Sequence, residues 1–287
     1  MIGAGACLGL STNIAKIASD TGLAPLPLLA WSVLGATVIL GGVAAARGQR
    51  PAVNGRTAEY FVIAAFFTLA GSNLTFFSAV PHVGASFVAL AITLPPLLTY
   101  LGALCFRMER FNTLRAAGVL AALIGAGVLA VEQFRTPDAP ALWVILTLVG
   151  PVFLAIGNLY RSLRWPPGES AEALAPGLLG ASAAMFFALA LLPGFSVVVP
   201  ADRVMPFVLI GAQTVVFAAQ FLLLFILQRS GGPVLLSLLG GVGALVAVPV
   251  AILLLDEAPP GGLFLGAALI AAGIALVSVG GAQARKS

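Results

Sequence analysis

Four amide side chains stand out in a 287-residue chain that is 60% hydrophobic and only 8% charged. Asn13, Asn158, Gln213 and Gln220 each fall inside a long apolar stretch. An amide offers two donor and two acceptor positions, and leaving these empty away from water is costly. Gln213 and Gln220 are spaced i,i+7, so on a helix they share one face, with Phe217 between them. Ser72, Asn73 and Thr75 form a second polar run, and Thr93, Thr99 and Ser237 are further hydroxyls within apolar segments. A lone Ser or Thr bonds its own helix backbone readily, so each reads as packing before it reads as a site. Phe76, Phe77, Tyr100 and Trp31 add aromatic surface. Amides and aromatics suit recognition of a small solute with an apolar body and a polar end. The candidate substrate-binding residues are therefore Asn13, Ser72, Asn73, Phe77, Tyr100, Asn158, Gln213, Phe217 and Gln220.

Catalysis finds little support. The single histidine, His82, sits in a Pro81-His82-Val83-Gly84 turn, and no metalloprotease, nucleophile-elbow or P-loop spacing occurs. Cys7 and Cys105 lie in apolar segments without Cys-x-x-Cys or Cys/His spacing, so neither a metal site nor a cofactor is expected. The ten carboxylates, among them Asp20, Glu59, Glu109, Glu132, Asp256 and Glu257, fall at or near segment ends. Proton-driven carriers usually keep an ionisable group within the membrane. The pattern therefore predicts facilitated or exchange transport without a carboxylate relay. Lys16 and Arg161 are a further pair that could meet a substrate carboxylate, but their places near segment ends favour snorkelling to the interface.

The elements that must position these groups follow from composition. A soluble domain needs a charged shell that this chain lacks. In hydrocarbon every backbone N–H and C=O needs an internal partner, which leaves helices or closed barrels. The apolar runs are about twice the length of a barrel strand and do not alternate strictly, so helices are expected. They fall at 2–19, 25–46, 58–80, 83–106, 112–134, 140–162, 172–192, 204–228, 233–255 and 261–282. Pro-, Gly- and Asp-containing turns separate them, including 230–233 (Ser-Gly-Gly-Pro) and 259–261 (Pro-Pro-Gly). Pro95-Pro96 interrupts the fourth segment, while Gly240, Gly243 and Pro249 loosen the ninth, so these five positions are candidate hinges. With the N-terminus inside, eleven Lys/Arg fall on inner loops and ends against three (Lys16, Arg135, Arg203) on the outer side. Both termini are then cytoplasmic. The net charge of +4 is spread over those loops and does not suggest a nucleic-acid partner.

A shift of 148 residues lays the second half on the first. Glu109, Gly118 and Gly125 fall on Glu257, Gly266 and Gly273, Gly84 on Gly232, and Phe77 on Phe225. The first segment aligns at a slightly different shift, placing Asn13 on Asn158 and Lys16 on Arg161. The halves are 1–134 and 135–287, each of five segments. An odd number makes the second half enter from the opposite side. The expected fold is all-α: a polytopic membrane protein of ten transmembrane helices in two inverted five-helix repeats.

This layout resembles the drug/metabolite transporter superfamily in its EamA-type two-repeat form. The resemblance is carried by the paired Glu-containing loops before Gly/Ala-rich closing helices and by the tight third-to-fourth and eighth-to-ninth hairpins. It covers essentially the whole chain and lies nearest the aromatic and neutral amino-acid exporters. Many relatives carry an Arg near the start of the second helix, where this chain reads Leu29-Ala30-Trp31-Ser32. The resemblance implies a monomeric exporter or exchanger of small metabolites, best matched to amino acids with apolar side chains, in a bacterial inner membrane. Sugar or nucleotide-sugar transport is the alternative, and a membrane enzyme or scaffold a more distant one.

Overall fold

The computed structural model describes residues 2–49, 54–107, 111–135, 141–200, 203–259 and 261–284, and within these the side chains at 96, 133–135, 228–238, 278 and 281–284 are not described. The expectations for Glu109, for the side chains of Pro96 and Ser237, and for the arms of the 230–233 turn lie outside the described residues. Among the described residues the chain is all helical, with eleven α-helices and no strand. They are α1 Ile2–Asp20, α2 Pro25–Ala46, α3 Gly55–Ala65, α4 Gly71–Val83, α5 Ala85–Ala91, α6 Pro95–Cys105, α7 Thr113–Arg135, α8 Ala141–Leu163, α9 Ala171–Leu189, α10 Met205–Leu254 and α11 Leu263–Ala284.

Among the described residues, six stretches are long and apolar enough to cross a membrane: α2, Gly55–Val83, Thr113–Glu132, α8, α9 and Met205–Leu227. Each corresponds to an apolar segment of the sequence. The other four segments depart from that pattern. The first, α1, carries Ser11-Thr12-Asn13 and Lys16, which dilute its hydropathy. The fourth is broken into α5 and α6. Leu239–Leu254 and Leu263–Val277 are shorter apolar stretches. Large apolar side chains on the outside, such as Val38, Leu120, Ile124, Val215, Leu245 and Phe264, form a surface suited to lipid.

The third span is continuous from Gly55 to Val83 only because a π-helical turn, Phe66–Ala70, joins α3 to α4. One extra residue per turn there re-aims Thr68 inward, while Phe66 and Phe67 pack on Phe153 of α8. Asn54 caps α3 and exchanges bonds with Thr57 in a capping box.

Helix α10 is assigned as helical across 50 residues, including the expected turn at 230–233. A straight helix would place Leu223 and Leu239 about 24 Å apart at about 1.5 Å per residue. Leu223 nevertheless packs against the cluster that Leu239 forms with Ala4 of α1. The backbone must therefore fold back between them, giving two limbs, 205–227 and 239–254.

Small residues set the closest contacts. Helices α7 and α11 cross antiparallel, with Gly118 against Gly273 and Gly125 against Gly266. A Cβ added at Gly118 would stand 2.6 Å from the Gly273 carbonyl oxygen, and one at Gly125 would stand 2.7 Å from that of Gly266. The shift of 148 equates Gly118 with Gly266 and Gly125 with Gly273, so the two related pairs exchange partners across this crossing. Gly262, just before α11, faces Val128 and Glu132 at a left-handed turn with φ +68°.

A Gly118→Leu substitution forces α7 and α11 apart. Overpacking of this kind costs roughly 1–3 kcal/mol. The expected outcome is a clear drop in the midpoint of thermal unfolding in detergent, with Gly127→Leu, whose Cβ position meets nothing, as the neutral control.

Candidate functional site

A polar opening inside the bundle lies where α1, the α3–α4 span, the α5–α6 break, α8 and both limbs of α10 converge. Its volume is about 90 Å³ and its lining includes Ala4, Leu8, Thr68, Asn73, Phe76, Ile92, Pro95, Thr99, Leu154, Asn158, Arg161, Gln220, Phe221, Leu224, Leu239 and Gly240. Three sets of these residues are related by the shift of 148: Asn73 with Phe221, Phe76 with Leu224, and Ile92 with Gly240.

Local chemistry explains why this region is open. Positions 95 and 96 are prolines, so neither offers an N–H to the carbonyls four residues earlier. Helix α5 ends at Ala91, a tight turn follows with Thr93 N–H on Leu90 O and Leu94 N–H on Ala91 O, both at 3.0 Å, and α6 restarts with Pro95 in its first turn. Irregular backbone at membrane depth is tolerated where it lines a cavity. Gly240 sits directly against it, and a Cβ there would lie 2.5 Å from the Ile92 oxygen and 2.8 Å from Thr93 Cα. Across the cavity, Thr68 projects from the π turn.

Of the candidate binding residues, Asn73, Asn158 and Gln220 line the cavity together. The others lie around it. Asn13 donates from Nδ2 to Gly9 O at 3.1 Å and to Ala247 O at 3.3 Å. Gln213 donates to Ser11 Oγ at 2.5 Å. These two amides tie α1 to both limbs of α10. Ser72 is fully buried and its hydroxyl has no partner. Phe77 and Phe217 stack on each other at 6.2 Å. The Tyr100 hydroxyl accepts the Asn112 N–H at 3.0 Å and its ring carries the Arg115 guanidinium at 5.1 Å, which anchors the α6–α7 connection. Among the candidate hinges, Pro95 and Gly240 line the cavity, Gly243 packs on Leu8, and Pro249 lies within the second limb of α10.

Two expectations change. Arg161 does not snorkel: it is 1% exposed and lines the cavity. Its Nη2 donates to Asn158 Oδ1 at 2.9 Å and its guanidinium lies 5.4 Å from the Phe225 ring centroid, so an amide and an aromatic cover it where water was expected. Its repeat mate Lys16 does reach outward and pairs with Asp20 at 2.7 Å. Trp31 is on another surface, with its N–H on Val197 O and its ring edge against Phe187. Thr68 was not foreseen as a lining residue, because a π turn leaves no signature in the hydrophobic pattern.

His82 stacks on Trp143 at 4.2 Å, as a turn residue packed against an aromatic. Beside it, Glu257 makes a contact that sequence reading missed. Its Oε2 accepts the Ala85 N–H at 2.9 Å and its Oε1 accepts the Ser86 N–H at 3.0 Å. The carboxylate thereby fills unpaired donors at the start of α5 and complements the helix dipole. Gly84, at φ +84°, provides both the left-handed turn and the space, since a Cβ there would collide with Glu257 Oε1. The clue was the pairing of a Gly turn with a distant Glu, duplicated in both halves.

The ties made by Asn13, Gln213 and Glu257 all lie toward one end of the bundle. The cavity lies toward the other, near the start of α1 and the end of the first limb of α10.

Comparison with known proteins supports this architecture. Residues 1–131 match the EamA-like transporter family. A solved structure described only as "Crystal structure of protein" superposes with a TM-score of 0.71 at 22% identity, covering 99% of this chain and 96% of that one, which shows a shared fold. No curated protein matches. Taken with its apolar helices, the chain is a multi-pass membrane protein whose amino-terminal part is similar to transporters.

Loss of a helix cap typically costs about 0.5–2 kcal/mol. Glu257→Ala is expected to lower the unfolding midpoint in detergent by that order, and Glu257→Gln by less, because a neutral amide oxygen still accepts one bond. Equal midpoints for Glu257→Ala and wild type would show that the carboxylate does not hold α5.

Proposed function

We propose that the protein is a transporter that exports or exchanges a small metabolite by alternating access through the central cavity. It works as a monomer of ten transmembrane helices in two inverted five-helix repeats, 1–134 and 135–287, in a bacterial-type inner membrane with both termini cytoplasmic. The observation that carries this reading is the cavity itself. It forms where the two halves meet, and repeat-related residues line it from both sides. Two bundles of related sequence and opposite topology can exchange shapes at nearly equal energy, which opens a central site to each side in turn.

Two further features support the reading. At the α7–α11 crossing, residue i meets the mate of residue j while j meets the mate of i, as a two-fold axis in the membrane plane requires. The Lys/Arg bias puts the start of α1 in the cytoplasm, so the cavity faces inward and the Asn13, Gln213 and Glu257 ties seal the outer end. The α5–α6 break and Gly240, which touch across the cavity, are the moving parts.

The lining suits amino acids with apolar side chains. Phe76, Phe221, Leu224 and Leu239 provide the apolar wall, and Asn73, Asn158 and Gln220 the polar end. No carboxylate is among the described lining residues, so transport runs by facilitation or exchange.

Liposomes reconstituted with the purified chain and preloaded with leucine or phenylalanine test this. Saturable counterflow is expected, as is a drop of at least tenfold for Gly240→Leu at unchanged expression. Flux that never saturates would mark a channel and sink the reading. A pH gradient alone should drive no strong accumulation.

A further inference from the structure

We propose that Arg161 is the substrate anchor and that the transported solute carries a carboxylate, which docks on this guanidinium. The inference rests on the transport reading and names the chemistry of its ligand.

The argument starts from a charge balance. Arg161 is 1% exposed and its side chain has five N–H donors in a planar fork. One protein oxygen, Asn158 Oδ1, is bonded to Nη2, while Nε and Nη1 have no partner. No ion pair reaches it among the described residues. The Glu59 carboxylate accepts the hydroxyl of the adjacent residue Tyr160 at 3.3 Å. A buried cation without a counter-ion is among the most unfavourable arrangements a fold can hold. The Phe225 face offsets part of this, but it supplies no acceptor for the free N–H groups. The residue therefore reads as one half of an ion pair whose other half arrives from outside.

Geometry selects the ligand group. The guanidinium borders the cavity with Nε and Nη1 unpartnered; Nη2 gives one hydrogen to Asn158 and has a second that completes, with Nε or with Nη1, the edge that a carboxylate meets with two parallel bonds. Other unfilled groups on the same lining fit the rest of such a solute. Gln220 Oε1 and Thr99 Oγ1 are buried without partners and can accept hydrogen bonds, as an ammonium would offer them. An α-amino acid fills both ends, whereas a 2-oxo acid of the same skeleton fills only the Arg161 end. A carboxylate is common to both.

The test uses the full chain in liposomes, with counterflow of leucine, of 4-methyl-2-oxopentanoate and of leucine methyl ester, which lacks the carboxylate. Wild type is expected to carry one or both acids and to bind the ester at least tenfold more weakly, a comparison that needs no variant. Arg161→Gln should lose at least tenfold in apparent affinity for the acid while keeping or raising thermal stability, because it removes an unpaired buried charge. Arg161→Lys, which keeps the charge but not the fork, should recover part of the affinity. A preference for leucine over the oxo acid marks the amino acid as the source of the carboxylate, and the reverse marks an organic acid. Equal affinity for acid and ester, or an Arg161→Gln protein that carries the acid as wild type does, overturns the inference and leaves transport standing. If no acid is carried at all, the inference fails outright, and the transport reading is then decided separately by saturable counterflow of neutral or cationic solutes.

Discussion

The structure depends on one constraint: in hydrocarbon, every backbone N–H and C=O needs a partner within the protein. The helices satisfy it by default. The interest lies in the few places where the helical ladder is interrupted. At Phe66–Ala70 the ladder widens to a π turn without losing continuity. At 92–94 two prolines remove donors, and the interrupted backbone lines the cavity. At Gly84 the chain turns sharply, and the Glu257 carboxylate supplies what the first turn of α5 lacks. Two of these interruptions border the cavity, and the third holds the helix that leads into it. The constraint that makes the fold also locates its working parts.

Close packing through small residues is the second layer. Lipid offers no hydrophobic drive for helices to associate, so van der Waals contact has to do it. Glycines at 118, 125, 266 and 273 bring α7 and α11 backbone to backbone, and Gly5 and Gly9 do the same for α1 against the second limb of α10. The Gly240 contact is of another kind, because it faces the interrupted backbone at 92–93 and not a continuous helix. A glycine against a break permits sliding that a glycine against a helix does not.

Much of the fold was legible because its governing signals are local. Apolar run length and prolines at turns are read directly from neighbouring residues, and the six clear spans fall where those runs lie. The 148-residue repeat pointed to matching glycines, and these are the residues that meet. The site was only partly legible. Asn73, Asn158 and Gln220 were visible as amides in apolar stretches, but the same argument selected Asn13 and Gln213, which bond the protein itself. Residue type tells that a polar group needs a partner without telling which partner it finds. Arg161 was misread for a related reason. Its distance from the helix end suggested snorkelling, yet the cover provided by Phe225 and Asn158 comes from tertiary packing and, in one case, from 64 positions along the chain.

The two halves share a repeat in sequence, and their polar residues depart from it in what they contact. Asn13 and Asn158 are mates, yet one ties α1 to Ala247 and the other holds Arg161. Lys16 and Arg161 are mates, yet one faces outward to Asp20 and the other is buried at the cavity. A strictly symmetric carrier would bind its solute equally from either side. Here the charge sits in one half only, on α8, close to the end where the cavity lies. On the proposed transport reading, a solute that neutralises this charge removes a penalty that exists chiefly in this one shape. It thereby shifts the balance between the two shapes by its differential affinity for them. Direction in such a protein comes less from the frame than from which of two equivalent positions carries the unpaired group.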